Sequence, residues 1–475
     1  MNSHIQSRWQ FVSILIVAIY NLAFNYGPPP VPTYYNPYEQ QAIQWLGEDL
    51  YHQIQNLSGQ NITGNNKLNL YIDGSEFYRQ YLVNLNKAVR TIDLQTYLWC
   101  DDESGLAVAN ILAKKAKSEH VRVRIIADWM NFKEHRHAYK ILSDAGIQIL
   151  EFNKFPEQSL SKRMHEKIAI LDGKSVMAGG ANFCNEYLID KDDLKNEHER
   201  KIGLKLWHDL VMDMYGPVAR KYQEGFDRNW EEILRFKFQH HSVRLRYAHS
   251  LQDKIDTKNK KPEYLLYPPT PSTYSEFGEV LGEQEAPGTE LAIPLWQHPY
   301  LWKQQSANFI QIYTQIIQKT KKRAILYMPY FIPHKKFYQA ILKTLKLGKE
   351  VWIFSNSKDT NDMGRALSNS SRLLYKKLLQ SGARIFEIKT RGMHAKALLI
   401  DNQYLMVGSN NFTRRSMRSN GEQMVLTNSQ ESISKFQAMV NNDIKLEYNE
   451  ITLKNLPKVK GIFRRLWAKI LAPWF

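Results

Sequence analysis

One eight-residue pattern occurs twice in this chain, and it constrains the fold more than any other feature. Each copy begins with a histidine, has a lysine two positions later and ends with an aspartate. An asparagine follows seventeen positions after each histidine. The residues are His165, Lys167, Asp172 and Asn182 in the first copy and His394, Lys396, Asp401 and Asn411 in the second. Two copies with matched offsets indicate an internal duplication.

The spacing within each copy predicts a small patch of polar groups. Residues 168–171 and 397–400 are apolar and predict short buried strands, followed by hairpin turns and returning strands at 175–179 and 404–408. Side chains alternate along a strand, so the histidine and lysine project from the same face, and the returning strand brings the asparagine beside them. Lysine and asparagine donate hydrogen bonds to anionic oxygens, while histidine attacks or protonates. Each copy therefore predicts half of a phosphate site.

The duplicated pattern resembles the signature of the phospholipase D superfamily, which is HxKxxxxD followed by Gly-Gly or Gly-Ser and an asparagine. Within it, the chain is most similar to bacterial cardiolipin synthases. The likeness runs from about residue 68 to residue 427, with further matching stretches at 93–99, 207–210, 216–217, 329–333, 415–416 and 420–422. The resemblance implies an α/β fold of two phospholipase D-like lobes, each a mixed β-sheet flanked by helices, with the active site between the lobes.

The resemblance also implies roles for the motif residues. His165 is expected to be the nucleophile that forms a phosphohistidine, and His394 the acid, although the sequence itself is symmetric on this point. The phosphate-binding residues are expected to be Lys167, Asn182, Lys396 and Asn411. No metal or cofactor is required for this chemistry.

Each catalytic imidazole needs a carboxylate on its far nitrogen to fix its tautomer. The resemblance suggests Glu422 for His394 and Asp209 for His165. Asp172 and Asp401 belong to the catalytic motif, but their position at hairpin turns favours a structural role.

The composition bounds the class of partner. The chain has 64 Lys and Arg against 47 Asp and Glu, a net charge of +17, which attracts polyanions such as nucleic acid or an anionic membrane surface. The two cysteines, Cys100 and Cys184, are too few for a disulfide framework and lack metal-ligand spacing, so we expect two ordinary buried thiols that leave the redox compartment open.

Both ends of the chain predict membrane association. Residues 11–24 form a short apolar run that we expect to be an uncleaved anchor, with a cleaved signal or a buried helix as alternatives. Arg8 precedes the run and no basic residue follows before Lys67, so the positive-inside rule favours an exported body at a bacterial inner membrane. Residues 451–475 predict a basic amphipathic helix at the membrane interface, or alternatively a helix docked on the protein's own core.

The remaining pattern divides the chain into segments. We expect an anchor or signal at 1–25, a Pro-rich and polar linker at 26–66, a first lobe at 67–236, a connector at 237–290 and a second lobe at 291–450. In the first lobe we expect strands at 68–72, 91–99, 121–127 and 147–152 and helices at 75–89, 104–118, 135–145 and 220–236. In the second we expect strands at 324–328, 351–355 and 384–388 and helices at 306–319, 335–347 and 364–380. Residues 37–57 have an amphipathic helical pattern.

Together these features predict a monomeric membrane phosphatidyltransferase without nucleic-acid partners. Its substrates would be phospholipids such as phosphatidylglycerol. The most specific form of this prediction is a cardiolipin synthase. Hydrolysis by water, as in a phospholipase D, differs only in the acceptor. A nuclease of the same superfamily and a scaffold protein with a degenerate site are the further alternatives.

Overall fold

Each half of the chain forms a mixed β-sheet, as the duplicated motif predicts. A computed structural model describes residues 36–132, 136–153, 162–188, 206–239, 246–247, 288–298, 306–362 and 365–457. The N-terminal apolar run, residues 248–287 of the connector and the basic segment after residue 457 lie outside the described residues, and what we expect of them stays a prediction. From Gln40 onward the chain forms one compact unit.

The strands follow the expected order. Those of the first half are β1 (Thr63–Ile72), β2 (Thr91–Thr96), β3 (Arg122–Asp128), β4 (Gln148–Phe152), β5 (Ile168–Leu171), β6 (Ser175–Gly179), β7 (Trp207–His208), β8 (Leu210–Tyr215) and β9 (Arg246–Tyr247). Those of the second half are β10 (Glu290–Gln297), β11 (Arg323–Tyr327), β12 (Glu350–Asn356), β13 (Arg384–Ile388), β14 (Gly392–Met393), β15 (Ala397–Ile400), β16 (Tyr404–Gly408), β17 (Glu422–Thr427) and β18 (Tyr448–Ile451).

The helices flank these strands. They are α1 (Glu39–Leu46), α2 (Glu48–Ser58), α3 (Gly74–Lys87), α4 (Glu103–Ser118), α5 (Trp129–Phe132), α6 (Arg136–Asp144), α7 (Asn185–Leu188), α8 (Pro217–Gln239), α9 (Phe309–Gln318), α10 (Lys335–Lys346), α11 (Arg365–Gln380) and α12 (Gln430–Leu446). Every strand and helix expected within the two lobes is present. The sequence analysis assigned no strand to β8, β10, β17 or β18 and no helix to α12.

Strand order is the same in both halves. It is β1-β8-β6-β5-β2-β3-β4-β9 in the first half and β10-β17-β16-β15-β11-β12-β13-β18 in the second. The antiparallel pair of β1 and β10 joins the two into one sixteen-stranded sheet within the described residues. β2, β3 and β4 run parallel, as do β11, β12 and β13. The duplication therefore extends from the motif to the whole topology.

The two motif hairpins have the same turn. Asp172 and Gly173 have φ of 54° and 65°, and Asp401 and Asn402 have φ of 51° and 59°. Positive φ at both central positions defines a type I′ turn, which matches the twist of two adjacent strands. The turn therefore fixes the register that brings each asparagine back toward its histidine.

Alternate residues of β5 face two different cores. Ile168 and Ile170 belong to a buried cluster that includes Leu399 of the second half, whereas Ala169 and Leu171 pack with the helices of the first half. Burying each large aliphatic side chain contributes about 1.5–3 kcal/mol. The central cluster therefore packs the two halves against each other and sets the position of the paired motifs.

The N-terminal helices correct the expected linker at residues 26–66. The amphipathic pattern forms two helices rather than one, because Gly47 between them has a φ of 81°. The indole of Trp45 donates to the carbonyl of Gln403 at 3.0 Å, and the hydroxyl of Tyr404 donates to the carbonyl of Trp45 at 3.1 Å. These helices dock on the second half, and β1 already begins at Thr63, so residues 39–66 are not a free linker.

Cys100 and Cys184 form a disulfide, with Cα atoms 5.0 Å apart. The expectation of two separate thiols is therefore wrong. The two cysteines are 84 residues apart in sequence, and the segments after β2 and β6 meet only in the folded sheet. A bridge between Trp99 and Phe183 brings them together there.

Candidate active site

His165 lies just before β5 and is buried. Its Nδ1 is 3.0 Å from Oε2 of Glu422 and 3.1 Å from the carbonyl oxygen of Ser409. Both neighbours accept hydrogen bonds, so Nδ1 carries the hydrogen of a neutral ring and Nε2 carries the lone pair. This is the tautomer that a nucleophilic imidazole needs.

His394 has the matching arrangement in the second half. Its Nδ1 is 2.7 Å from Oδ2 of Asp209, and the ring is also buried. The same carboxylate accepts the backbone N–H of Leu210 at 2.8 Å. Both motif histidines are therefore held through the same nitrogen by a buried carboxylate.

The pairing of carboxylates with histidines is the reverse of the expected one. Glu422 orients His165, and Asp209 orients His394. The physical reason is a crossing of the two halves. The backbone N–H of His165 donates to the carbonyl of Gly421 at 2.9 Å, and that of His394 donates to the carbonyl of His208 at 2.8 Å. Each histidine segment pairs with the carboxylate segment of the other half.

Burial governs the protonation of both rings. It lowers the pKa of His165 to about 4 despite the charge of Glu422, and burial together with the charge of Lys396 lowers the pKa of His394 to about 3. Burial alone would raise the carboxyl pKa values, but the adjacent histidines and lysines hold those of Glu422 and Asp209 below their usual range. Near neutral pH the site without substrate therefore holds neutral histidines and ionised carboxylates.

The two motif lysines lie in the same buried space. Lys167 Nζ donates to the carbonyl of His165 at 2.6 Å, and Lys396 Nζ donates to the carbonyl of His394. Burial and then the charge of Lys396 hold the pKa of Lys167 well below its usual value, and burial lowers that of Lys396 to about 8. Among the described residues, no ion pair joins either ammonium to a carboxylate. Two buried amines so placed can donate hydrogen bonds to an anion.

The motif asparagines follow β6 and β16. Asn182 is buried, and its side chain hydrogen-bonds Tyr187, whose ring meets that of His394 at a centroid distance of 5.1 Å. Asn182 is thereby linked to the histidine of the other motif. Within the described part of the chain, the amide oxygens of Asn182 and Asn411 have no hydrogen-bond partner. These amides keep hydrogen-bonding capacity for a ligand.

Aromatic rings wall both half-sites, and the sequence analysis assigned none of them to the site. Tyr97 meets the ring of His165 edge-on at 4.7 Å, with Lys167 Nζ 4.8 Å from the Tyr97 centroid. Trp207 lies 5.5 Å from the ring of His394. Tyr97 directly follows β2, the neighbour of β5, so its position at that strand end was the available signal.

Asp172 and Asp401 hold the backbone at the turns of the motif hairpins. The carboxylate of Asp172 accepts the backbone N–H groups of Val89, Arg90 and Thr91 at 2.8–3.0 Å. Asp401 accepts those of residues 321–323 at 2.6–2.8 Å. Each aspartate lies at the far end of its strand from the histidine and ties the hairpin to the start of the neighbouring strand. These contacts accord with the structural role that the turn positions favour, and that role stays a prediction.

A family model described as "Cardiolipin synthase, PLD-like domain" matches residues 81–230 and 313–444, which is more than half of the chain. The chain is 24% identical over 438 residues to "Cardiolipin synthase" of Clostridium perfringens (strain SM101 / Type A), covering 91% of this chain and 82% of that one. It is 25% identical over 461 residues to "Cardiolipin synthase A" of Pseudomonas entomophila (strain L48), covering 95% and 82%.

The fold has a solved counterpart. The crystal structure of phosphatidylserine synthase from Haemophilus influenzae Rd KW20 aligns with a TM-score of 0.59 at 16% identity, covering 89% of this chain and 96% of that one. At this identity the likeness shows the fold alone. The family match shows more than the fold, because the matched residues include both copies of the motif. The chain therefore belongs to the family of cardiolipin synthase, PLD-like domains, and is an enzyme of the phospholipase D superfamily.

Proposed function

We propose that this protein transfers a phosphatidyl group between alcohols through a phosphohistidine, and that its principal product is cardiolipin. The observation that carries the proposal is the paired site. Two neutral histidines are held at Nδ1 by buried carboxylates, and the two motif lysines are buried without an ion-pair partner among the described residues. This arrangement suits an anionic phosphodiester and in-line displacement.

The first step is attack by the lone pair of His165 Nε2 on phosphorus. The bond from phosphorus to the leaving oxygen breaks, and that oxygen takes the Nε2 proton of His394. In the second step the acceptor hydroxyl attacks phosphorus and gives its proton to His394. The phosphorus–nitrogen bond then breaks and its electron pair returns to His165. The histidines regain their starting states.

The acid needs a proton that the empty site disfavours. Burial and the ammonium groups lower the pKa of His394 to about 3. The negative charge of a bound phosphodiester offsets the ammonium groups and raises this pKa, so substrate binding itself favours the protonated acid. Lys167, Lys396, Asn182 and Asn411 would donate to the equatorial oxygens.

The acceptor alcohol separates a synthase from a hydrolase. The relatives that match most of this chain are named cardiolipin synthases, which supports the glycerol headgroup of a second phospholipid as acceptor and phosphatidylglycerol as donor. Water as acceptor would give phosphatidic acid and remains the alternative.

The location we propose is the outer face of a bacterial inner membrane. Within the described ranges, no helix has both the length and the apolar character needed to cross a bilayer. The proposed anchor at residues 11–24 lies outside those ranges. The disulfide between Cys100 and Cys184 supports an exported body, because disulfides persist in oxidising compartments.

The test is lipid analysis of a bacterial host without its own cardiolipin synthases. The host would express the full chain, His165→Ala, His394→Ala, or the control His137→Ala, whose side chain is 82% exposed. We expect cardiolipin with the full chain and the control only. Phosphatidic acid without cardiolipin would establish water as the acceptor. If no lipid changes, phosphatidyl transfer is refuted, and DNA hydrolysis by the purified protein becomes the next assay.

A further inference from the structure

His208 is a buried histidine that the proposed reaction does not use. Its Nδ1 lies 2.7 Å from Oδ1 of Asp73, and its Nε2 lies 3.1 Å from Oδ2 of Asp443. A carboxylate accepts hydrogen bonds, so the imidazolium, with a donor at each ring nitrogen, is the form of the ring that satisfies both contacts. Burial would lower its pKa, but the charges of Asp73 and Asp443 raise it to about 10.

Other charged and titratable groups complete the environment of this ring. Arg391 Nη2 lies 2.8 Å from Oδ2 of Asp73 and 3.2 Å from Nδ1 of His208, and Arg391 Nε lies 3.8 Å from Glu447. Asp73, at 2.7 Å, is the nearer neighbour of Nδ1. The hydroxyl of Tyr327 donates to Oδ2 of Asp443. The charge of His208 is thus held between carboxylates of both halves, since Asp73 follows β1 and Asp443 lies in α12.

The backbone of His208 reaches the catalytic residue directly. Its carbonyl oxygen accepts the N–H groups of His394 at 2.8 Å and of Ala395 at 2.9 Å. The next residue is Asp209, whose Oδ2 holds the His394 ring at 2.7 Å. The contacts that hold His208 in place therefore also help to hold the backbone and the ring of His394.

The other half-site has a glycine where this one has the His208 ring. Met393 pairs with His208, and Met164 makes the corresponding bridge with Gly421, so glycine occupies the position of His208. Glu422 is held instead by neutral groups, since the hydroxyls of Ser409 and Ser416 donate to it at 2.6 and 2.8 Å. The two half-sites are alike in their catalytic groups and unlike in their support.

We propose that His208 is a positioning residue for His394, an ionic clamp between the two halves that holds this histidine where it protonates the leaving alcohol. The inference rests on the proposed phosphatidyl transfer, in which His394 is the acid. If His208 acts only through the acid His394, its loss should slow transfer from a donor whose leaving alcohol needs a proton. It should have little effect on a donor whose leaving group departs unprotonated.

The first experiment compares two donors, phosphatidylglycerol and phosphatidyl-p-nitrophenol, with purified His208→Gln. We expect kcat/KM for phosphatidylglycerol to fall at least about tenfold, and that for the activated ester to fall less than about threefold, because p-nitrophenolate leaves unprotonated. In the control Ser416→Ala, which acts on the nucleophile side, both should fall together. Equal losses in His208→Gln, or none, would overturn the proposal. Wild-type protein inactive on both donors would instead refute the proposed function.

A second measurement needs neither activity nor a stable His208→Gln protein. Nitrogen NMR of ¹⁵N-histidine-labelled wild-type protein reports whether each ring nitrogen carries a proton. The His208 signals would be assigned by their shift in Asp443→Asn. We expect both nitrogens to stay protonated at pH 8.5. A neutral His208 ring at that pH would contradict the ionic clamp, whichever substrate the enzyme uses.

Discussion

Nδ1 of His165 lies 3.0 Å from Oε2 of Glu422, although 257 residues separate the two in sequence. The same exchange occurs between His394 and Asp209, which are 185 residues apart. Each half of the chain thus supplies the histidine of one half-site and the carboxylate of the other. Neither half-site is complete without both halves, so the duplication serves one shared active site rather than two separate ones.

The crossed pairing predicts different defects for Glu422→Gln and Asp209→Asn. Glu422→Gln should impair attack by His165 and lower kcat/KM about 10²–10⁴-fold with any leaving group. Asp209→Asn should show a comparable loss with phosphatidylglycerol but little with phosphatidyl-p-nitrophenol. Steady-state kinetics on both donors make the comparison, with His165→Ala as the inactive reference. The reverse pattern would make His394 the nucleophile and His165 the acid.

The parts of the site that sequence predicted are local. The shared face of His and Lys follows from the two-residue period of a strand, and the hairpin turns follow from Asp172-Gly173 and Asp401-Asn402. Such features need no knowledge of how distant segments meet. The order of strands and helices in each lobe is local in the same sense.

The parts that sequence missed depend on contacts between distant segments. The carboxylate exchange arises where His165 meets Gly421 and His394 meets His208, and no local pattern encodes that crossing. The disulfide likewise needs the segments after β2 and β6 to be neighbours. Tyr97 was not singled out from the sequence, because its place beside His165 arises from the pairing of β2 with β5.

The hairpin aspartates should matter for stability and not for chemistry. Asp172→Asn keeps the left-handed backbone that Asp172 adopts, at a φ of 54°, but removes one acceptor and the charge facing three N–H groups. We expect the free energy of unfolding to fall by about 1–2 kcal/mol, with kcat of the folded protein unchanged. Urea unfolding and turnover at saturating substrate test this. The control is Asp359→Asn, whose side chain is 69% exposed. A loss of kcat as large as that of His165→Ala would contradict the structural role.

Glu166 should make stability decrease with rising pH. It is fully buried, Gln95 Nε2 donates to its Oε2 at 3.0 Å, and burial and then the charge of Glu422 raise its pKa from 4.5 to about 8. The folded state thus binds this proton more tightly than the unfolded chain. The stabilisation that this bound proton contributes is complete below pH 4.5. It is lost as the pH rises through 8, at a rate of up to about 1.4 kcal/mol per pH unit.

Glutamine cannot ionise, so Glu166→Gln lacks the deprotonation that destabilises wild-type protein as the pH rises. The variant should therefore gain stability relative to wild type between pH 5 and pH 9, as measured by urea unfolding at each pH. Glu350→Gln, at a side chain 54% exposed, should change with pH as wild type does. Parallel curves for wild type and Glu166→Gln would show that Glu166 ionises normally.

The disulfide predicts both stability and compartment. Replacing Cys100 and Cys184 by serine should lower the free energy of unfolding by about 2–5 kcal/mol, because the bond closes a long loop in the unfolded chain. Reductant should lower the melting temperature of wild type toward that of the serine pair and leave the pair itself unchanged.

In cells, alkylation of free thiols before lysis reports the bond directly. An exported body should carry it fully formed, whereas free thiols at both positions would place the enzyme in a reducing compartment and reverse the proposed orientation. Because Cys184 lies two residues after Asn182, loss of the bond should also loosen the loop that brings this amide to the site, and kcat should fall along with stability.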